Sequence, residues 1–459
     1  MKTLLLLLAC LICCSCTLIP LPKHEVELPE QYCQPADGSV VSTEWWTSFG
    51  DEQLNALLET TLSGNLTIEQ AAARLRQAEA SAVKSGAARF PSLTASGEGK
   101  TTYTGSRNTT TVNTDSYKFG LSASYEVDLW GRVASSRRSA LSSLQASRFN
   151  LQTAAMSISA ETVLTYYRWQ QLNAWLVLLN EQLEDSRKML SVIEERFKTA
   201  QADALDVLRQ REQVASAEAA IPPVKDSLQA AGNALAVLTG RPPQTDLGLE
   251  VIDLPTLPPR PAAGLPADLL AMRPDLQAAW AELEQADWNV RAARAARLPA
   301  ITLTGSVSTS SEDVDNLFDN WIGNLVAGLA MPLIDGGSRR AEVRRTQAVS
   351  DERVAAYRKA VYDALTEVED AISTDQARQE ALEAIVRQSQ FSKASSDEAY
   401  RRYTRGLESF FDALISRVSS QNRQVNELTA HYDWIAARVQ LYRGLGGDWG
   451  FILNRGATK

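Results

Sequence analysis

ARFPSLTASG at residues 88–97 and ARLPAITLTG at residues 296–305 are two versions of one stretch, 208 positions apart. Each places a proline, which breaks a helix, just before alternating residues that favour a strand. Aligned without gaps, 68–97 and 276–305 share eleven of thirty residues. A second pair, RFKTAQADALDVL at 196–208 and RYTRGLESFFDAL at 402–414, follows at an offset of 206. The chain is therefore an internal duplication of two large units.

Both units are predicted to follow one order: an alanine-rich helix, two strands and two long helices. Polar stretches, SRNTTTVNTD and EDVDNLFD, are predicted to form the loops between the paired strands. The first repeat, 67–257, has strands near 92–105 and 117–130 and long helices at 134–200 and 203–238. The second repeat, 258–449, has a helix at 274–296, strands near 300–311 and 321–334, and long helices at 338–405 and 407–443, before a tail at 450–459.

The length of the helices defines the fold class. From Ser338 to Arg443 there is no proline, and Gly406 is the one glycine. The 68 residues of 338–405 would span roughly 100 Å as a helix. An apolar seam runs through this arm among charged residues, as in coiled coils. The Pro222-Pro223 pair is expected to kink the return helix of the first repeat. We therefore expect a mainly α protein with a minor β part.

The four strand segments cannot form a closed wall alone. They are alternating and glycine-rich, as expected of transmembrane strands. In lipid, an open sheet would leave two edges whose backbone groups lack partners, at several kcal/mol for each group. Three copies would supply twelve strands, and their twelve long helices would continue as a hollow helical barrel.

The N-terminus indicates export. MKTLLLLLACLICCSC has a lysine, a short apolar run and small residues, which is typical of a signal peptide over 1–15. Ser15-Cys16 resembles a lipoprotein cleavage site, so Cys16 is the expected lipidation position, with Cys14 as the fallback. A lipid-anchored leader and a short helix then occupy 16–66. Four of the five cysteines lie in MKTLLLLLACLICCSC, and a lipidated Cys16 would leave Cys33 as the one free cysteine of the mature chain, which excludes a disulfide framework.

Several motifs in order resemble the outer-membrane factor family, the TolC-like exit ducts of tripartite efflux systems, in the lipidated NodT-type branch. They are the ARFP/ARLP pair, YEVDLWGR (125–132), PLIDGGSRRAEV (332–343), the RYTRGLESFFDAL tip and LYRGLGGDW (441–449). The resemblance implies a homotrimer with a 12-stranded β-barrel in the outer membrane and a periplasmic coiled-coil barrel. It also implies docking to a periplasmic adaptor protein and an inner-membrane pump, with outer-membrane lipid around the barrel.

The resemblance also implies functional residues where the long helices turn back. Adaptor docking is expected at the two tips, at Thr199, Ala200, Arg405, Gly406 and Leu407. A periplasmic gate is expected just inside them, as a ring of Asp412 with Tyr403 nearby. An apolar constriction from Phe410, Phe411 or Ile415 is the competing interpretation, and a solvated Asp412 is the simplest one. Asp206 is the first-repeat counterpart of Asp412.

Nothing in the sequence indicates catalysis or a cofactor. The two histidines form no metal-binding motif, and no phosphate-binding glycine loop is present. A net charge of −9 without a basic stripe argues against nucleic acid as a partner. We therefore expect a passive exit duct with no enzyme activity, no metal and no cofactor besides lipid on Cys16. The alternative is a lipidated coiled-coil tether without a pore, which would leave the four strand segments unexplained.

Overall fold

The computed structural model describes residues 26–33, 44–106, 109–447 and 449–456. Its contacts divide the chain into two compact units. The first is built on Arg74–Arg148 and Ala278–Lys359. The second is built on Phe149–Gln277, the described residues of 27–73 and those from Ala360 onward. The predicted signal peptide and Cys16 lie outside the described residues.

Helices dominate the described chain, which confirms the expected fold class of mainly α with a minor sheet. A 3-10 turn at Trp45–Phe49 precedes the first helix. The helices are α1 Glu52–Gly64, α2 Leu66–Ala87, α3 Arg132–Lys198, α4 Ala204–Leu238, α5 Leu269–Met272, α6 Pro274–Ala295, α7 Ser338–Thr404, α8 Phe410–Leu445 and α9 Phe451–Gly456. Helix α4 continues through Pro222 and Pro223, so the proline pair, which was expected to kink the helix, does not terminate it. The expected tail contains α9.

One four-stranded sheet lies in the first unit. Its strands are β1 Ser92–Ser106, β2 Thr109–Val127, β3 Ala300–Ser311 and β4 Trp321–Ala330. They pair antiparallel in the order β1-β2-β3-β4, so β1 and β4 are the edges.

Three of the predicted strand boundaries were wrong. Strand β2 begins at Thr109 instead of near 117 and ends at Val127 instead of near 130. Most of SRNTTTVNTD is not a loop, because Ser106 belongs to β1 and the residues from Thr109 onward belong to β2, where Thr109, Val112, Asn113 and Thr114 pair with β1. Arg107 and Asn108 lie outside the described residues. Strand β4 ends at Ala330 rather than at 334. Pro332, which has no N–H to give to a ladder, lies just beyond it.

Each repeat passes from its sheet to a long helix through an aspartate. The carboxylate of Asp128 accepts the backbone N–H groups of Val133 and Ala134, at 2.9 and 2.7 Å. Asp335 accepts the N–H groups of Gly337 and Arg339, at 3.0 and 3.2 Å. Free N–H groups in the first turn of a helix favour a carboxylate for this reason. The motifs YEVDLWGR and PLIDGGSRRAEV are thus helix-start motifs.

The segment that connects the repeats, between α4 and α5, is held by side chains rather than by a ladder. Gln53 and Gln170 both donate to the carbonyl of Glu250, at 3.1 and 2.9 Å. Their side-chain oxygens accept the N–H groups of Glu250 and Ile252. Two glutamines therefore replace the missing strand partner.

A buried ion pair fixes the same segment further along. Arg438 donates to Asp375 at 2.8 Å, and both side chains are almost fully buried. Arg260 of the connecting segment adds a second contact to Asp375 at 2.9 Å. Removing one member of such a buried group leaves an uncompensated charge, so this site holds the connection in one place.

Candidate functional site

Two helix hairpins of the second unit form the tips where docking and gating are expected. At the end of α7, Gly406 adopts a left-handed φ of 74°. Its N–H bonds the carbonyl of Tyr403 at 3.0 Å, and the N–H of Leu407 bonds that of Arg402 at 3.0 Å. This pair of bonds is a Schellman motif, in which glycine is the usual left-handed residue.

The first repeat makes the same turn without glycine. Ala200 has a φ of 58°, and its N–H bonds the carbonyl of Phe197 at 3.0 Å. The N–H of Gln201 bonds the carbonyl of Arg196 at 2.8 Å. The two tips share one geometry, and Ala200 accepts a backbone conformation that disfavours a Cβ atom.

Each return helix begins with a side-chain cap. Asp203 accepts the N–H of Asp206 at 2.9 Å, and Ser409 accepts that of Asp412 at 3.1 Å. The Ser409 hydroxyl also donates to the Asp412 carboxylate at 2.6 Å. Asp412 is exposed, and an acidic side chain in the first turn of a helix is stabilised by the helix dipole. Asp412 is therefore both a local structural residue and an accessible charge.

Tyr403, expected near the gate, is buried in the protomer. Its ring is buried in the tip core, with an edge-on contact to Phe410 at 5.6 Å between centroids. The guanidinium of Arg196 covers the ring at 4.7 Å. Ile193 and Val207 of the first repeat complete this core. Tyr403 thus joins the two repeats at the tip.

Other predicted residues are accessible in the protomer. All five expected docking residues at the two tips are exposed, as are Phe411 and Ile415. Phe410 belongs to the tip core, which removes it from the expected apolar constriction. The Arg209 guanidinium lies 4.4 Å from the centre of the Phe411 ring. Phe411 is therefore held in position while its surface stays open.

Sequence reasoning missed a charged contact among three helices. Arg417 of α8 lies 2.9 Å from Asp185 of α3 and 3.5 Å from Asp397 of α7. Arg402 similarly contacts Glu408 at 3.7 Å. These partners are far apart in sequence or across a turn, so no local pattern pointed to them.

The sheet of the first unit has one apolar and one polar face. The register aligns Leu93, Ala123 and Gly305 on one face. The same face carries Tyr103, Tyr117, Phe119, Leu121, Leu303, Val307, Trp321, Leu325 and Leu329. The opposite face carries mainly Ser, Thr, Glu and Lys, including Thr94, Glu98, Lys118, Ser122, Ser124, Thr304, Ser306 and Ser308. Many of the apolar side chains are exposed, Leu325 at 86% and Trp321 at 71%.

Among the described residues, no helix is long and apolar enough to cross a bilayer. No group of three potential metal-ligating side chains was found in that part of the chain. Cys33 is exposed as a free thiol, and its N–H donates to Glu369 at 2.8 Å.

Known proteins resemble this chain along almost all of its length. A family model described as outer membrane efflux protein matches residues 57–241 and 265–447. The pyoverdine export outer membrane protein OpmQ of Pseudomonas aeruginosa is 32% identical over 464 residues, covering 98% of this chain and 97% of that protein. The toluene efflux pump outer membrane protein TtgI of Pseudomonas putida is 31% identical, covering 88% and 87%. The solved structure of the outer-membrane channel OprN superposes with a TM-score of 0.88 at 28% identity, covering 95% of this chain and all of that one.

Proposed function

This chain belongs to the outer membrane efflux protein family, and we propose that three copies of it close into one exit duct through the outer membrane. The observation that carries the proposal is the sheet, which has an exposed apolar face and two edges, β1 and β4. An apolar face suits contact with lipid, and each edge needs a partner strand there. A coiled-coil tether without a pore would not require a sheet with an exposed apolar face.

Strand number favours three copies. Because the strands alternate in direction, β4 of one copy and β1 of the next are antiparallel, and the ring can close with an even number of strands. Two copies would give about eight strands, an interior that side chains fill. Three copies give about twelve and leave a lumen lined by the polar face. The duct is a passive conduit, with no catalytic role.

The duct serves as the outer-membrane part of a tripartite system. The exposed tip residues are suited to docking a periplasmic adaptor protein, which in turn joins an inner-membrane pump. Replacing the exposed Leu407 by Glu is expected to weaken the adaptor–duct complex in a pull-down. The relatives are named for different cargoes, pyoverdine in one case and toluene in another. Cargo selection is therefore assigned to the pump.

The gate is formed by Asp412 of three copies, with Phe411 and Ile415 as the apolar alternative. Asp412→Ala should raise single-channel conductance or relieve block by divalent cations in planar bilayers. Asp206→Ala is the matched control, because Asp206 occupies the same first-turn position after its own cap. Equal currents in wild type and Asp412→Ala would remove Asp412 from the gate, and a larger current in Ile415→Ala would then assign it to the apolar residues.

The anchor is a lipid on Cys16 of the mature chain. Intact-mass measurement of the membrane-extracted protein should show diacylglycerol and a fatty acyl group, which Cys16→Ser abolishes. Cys14→Ser should retain the modification. The reverse result would move the anchor to Cys14.

A further inference from the structure

The antiparallel order brings four strand–helix junctions to one end of the sheet. The register places the start of β1, the end of β2, the start of β3 and the end of β4 there. The residues just beyond are 84–91, 128–138, 291–299 and 331–345. We call these four segments the junction end.

The junction end is strongly basic in an acidic chain. Its segments hold twelve Lys or Arg and three Asp or Glu, although the whole chain has a net charge of −9. All three carboxylates already have partners. Asp128 and Asp335 accept backbone N–H groups at the starts of α3 and α7, and Glu342 pairs with Arg345 at 2.8 Å. The opposite loop, 312–320, has four acidic residues and no basic one.

Crowding of cations is visible in the helices at this end. The guanidiniums of Arg138 and Arg291 both lie 4.5 Å from the centre of the Trp288 ring. Burial, together with the nearby Arg138 charge, lowers the pKa of Arg291, and the Asp287 carboxylate acts in the opposite direction.

Two arginines occupy equivalent positions in the duplicated ARFP and ARLP motifs. The N–H groups of Arg89 and Arg297 bond the carbonyls of Gly86 and Arg294, each at 3.2 Å, where α2 and α6 end. Both side chains are exposed. Among the described residues, neither has a carboxylate within ion-pair distance. The motif therefore ends a helix and presents an exposed arginine twice in each chain.

Exposed apolar side chains stand next to these cations. Phe90 and Leu298 follow the two arginines directly, and Leu333 lies beyond β4 in the same end. They continue the apolar character of the sheet past its last paired residues. An apolar surface bordered by arginines matches the boundary between acyl chains and headgroups of a bilayer leaflet.

We propose that Arg89 and Arg297 bind anionic glycerophospholipid headgroups of the leaflet next to the junction end of the barrel. Charge complementarity and continuity with the apolar face of the sheet carry this assignment. It rests on the proposed membrane barrel, because outside a bilayer the arginines would face solvent. In a trimer, the duplicated motif provides six such positions around the barrel.

Spin-labelled lipids test the proposal on the full-length protein in bilayers. Electron paramagnetic resonance measures the preference of protein-bound lipid for phosphatidylglycerol over phosphatidylcholine. In the double variant Arg89→Gln/Arg297→Gln, the ratio of bound phosphatidylglycerol to bound phosphatidylcholine should fall about fivefold at each site. This is the effect expected for removing one basic residue near an anionic membrane surface. Arg89→Lys/Arg297→Lys should keep the preference. Arg187→Gln/Arg211→Gln, which removes two arginines from α3 and α4, should also keep it and serves as the matched control.

Conductance of the same preparations separates this proposal from the proposed duct. A wild type that forms pores but does not distinguish the two lipids overturns the headgroup assignment and leaves the duct intact. An unchanged preference in the double Gln variant overturns it too. A Gln variant with altered ion selectivity and unaltered lipid preference would place the arginines on the lumen side, against the proposal. Absence of pores in wild type would refute the duct itself.

Discussion

Ala200 shows how a single residue is constrained by the duplicated fold. It adopts the left-handed conformation that Gly406 supplies in the second repeat, with the same two backbone bonds around it. A left-handed residue with a Cβ atom costs roughly 1–2 kcal/mol. The first tip therefore forms despite local strain, because its core and cap hold it.

Ala200→Gly should accordingly stabilise the first tip by about 1 kcal/mol. Hydrogen exchange of the amides in 196–204 is the measurement, since it reports local opening without global unfolding. Gly406→Ala, the mirror change, should speed exchange at 402–410. Faster exchange at the first tip in Ala200→Gly would show that its turn differs from the one described.

His431 makes stability depend on pH. Burial, the largest effect, lowers the pKa of His431 below its ordinary value, although the Pro255 carbonyl and Glu427 act in the opposite direction. The unfolded chain therefore takes up a proton at a higher pH than the folded one. The stability contributed by the neutral ring is present at neutral pH and is lost as pH falls below about 6.5.

The melting temperature of wild type should thus fall between pH 7.5 and pH 5.5 by more than that of His431→Gln. Intrinsic fluorescence during heating measures both. Parallel curves for the two proteins would assign the pH dependence to other groups.

At the scale of elements, a substitution to arginine should have different effects on the two faces of the sheet. Leu121 lies on the apolar face and its neighbour Ser122 on the polar face. Arginine at the lipid side of a barrel costs about 2–4 kcal/mol near the middle of the bilayer. Leu121→Arg should therefore reduce the yield of membrane-extracted, heat-modifiable protein sharply, whereas Ser122→Arg should assemble. Equal yields would remove the assignment of faces to lipid and lumen.

The edge strands give a second prediction at this scale. In a Cys33→Ser background, Thr94→Cys on β1 should form intermolecular disulfides with a cysteine at one of Asn324, Val326 or Gly328 on β4. Facing residues of paired strands come close enough for such a bond. Ser122→Cys/Ser306→Cys is the control, because these residues pair within one chain and should cross-link internally. Cross-linked ladders absent at all three positions would contradict edge-to-edge closure.

Much of the element order follows from local sequence. Proline in ARFP and ARLP, glycine at the second tip and long breaker-free stretches predict where helices end, and Leu54, Leu57, Leu58 and Leu62 of α1 show helical spacing and are buried together. Thr109 was assigned to a loop because polar residues suit both loops and the lumen face of a barrel strand. Only pairing with β1 distinguishes the two.

The contacts of the tip residues were harder to predict from the sequence than the order of the elements. Sequence spacing marks one side of a helix as apolar but does not say whether that side meets another helix or a pore. Tyr403 is such a case, since its partners Ile193 and Val207 belong to the other repeat. The contacts of Arg417 with Asp185 and Asp397 likewise depend on three helices meeting. Tertiary packing, absent from any local pattern, decides these positions.

At the scale of the whole molecule, the four strands of one protomer form an open sheet and not a closed barrel. Its sheet has an exposed apolar face and two open edges, and a sheet of this kind becomes stable in lipid only when neighbours cover its edges. Membership of the outer membrane efflux protein family fits this requirement, because a duct needs a lumen that one chain does not enclose. Function therefore belongs to the assembly.

The mass of the detergent-extracted complex, measured by native mass spectrometry and followed by single-channel recording of the same sample, tests this most directly. We predict a complex of three chains that conducts ions across a planar bilayer and separates into single chains on boiling. A folded single chain that stays monomeric and forms no conducting pore would contradict the account.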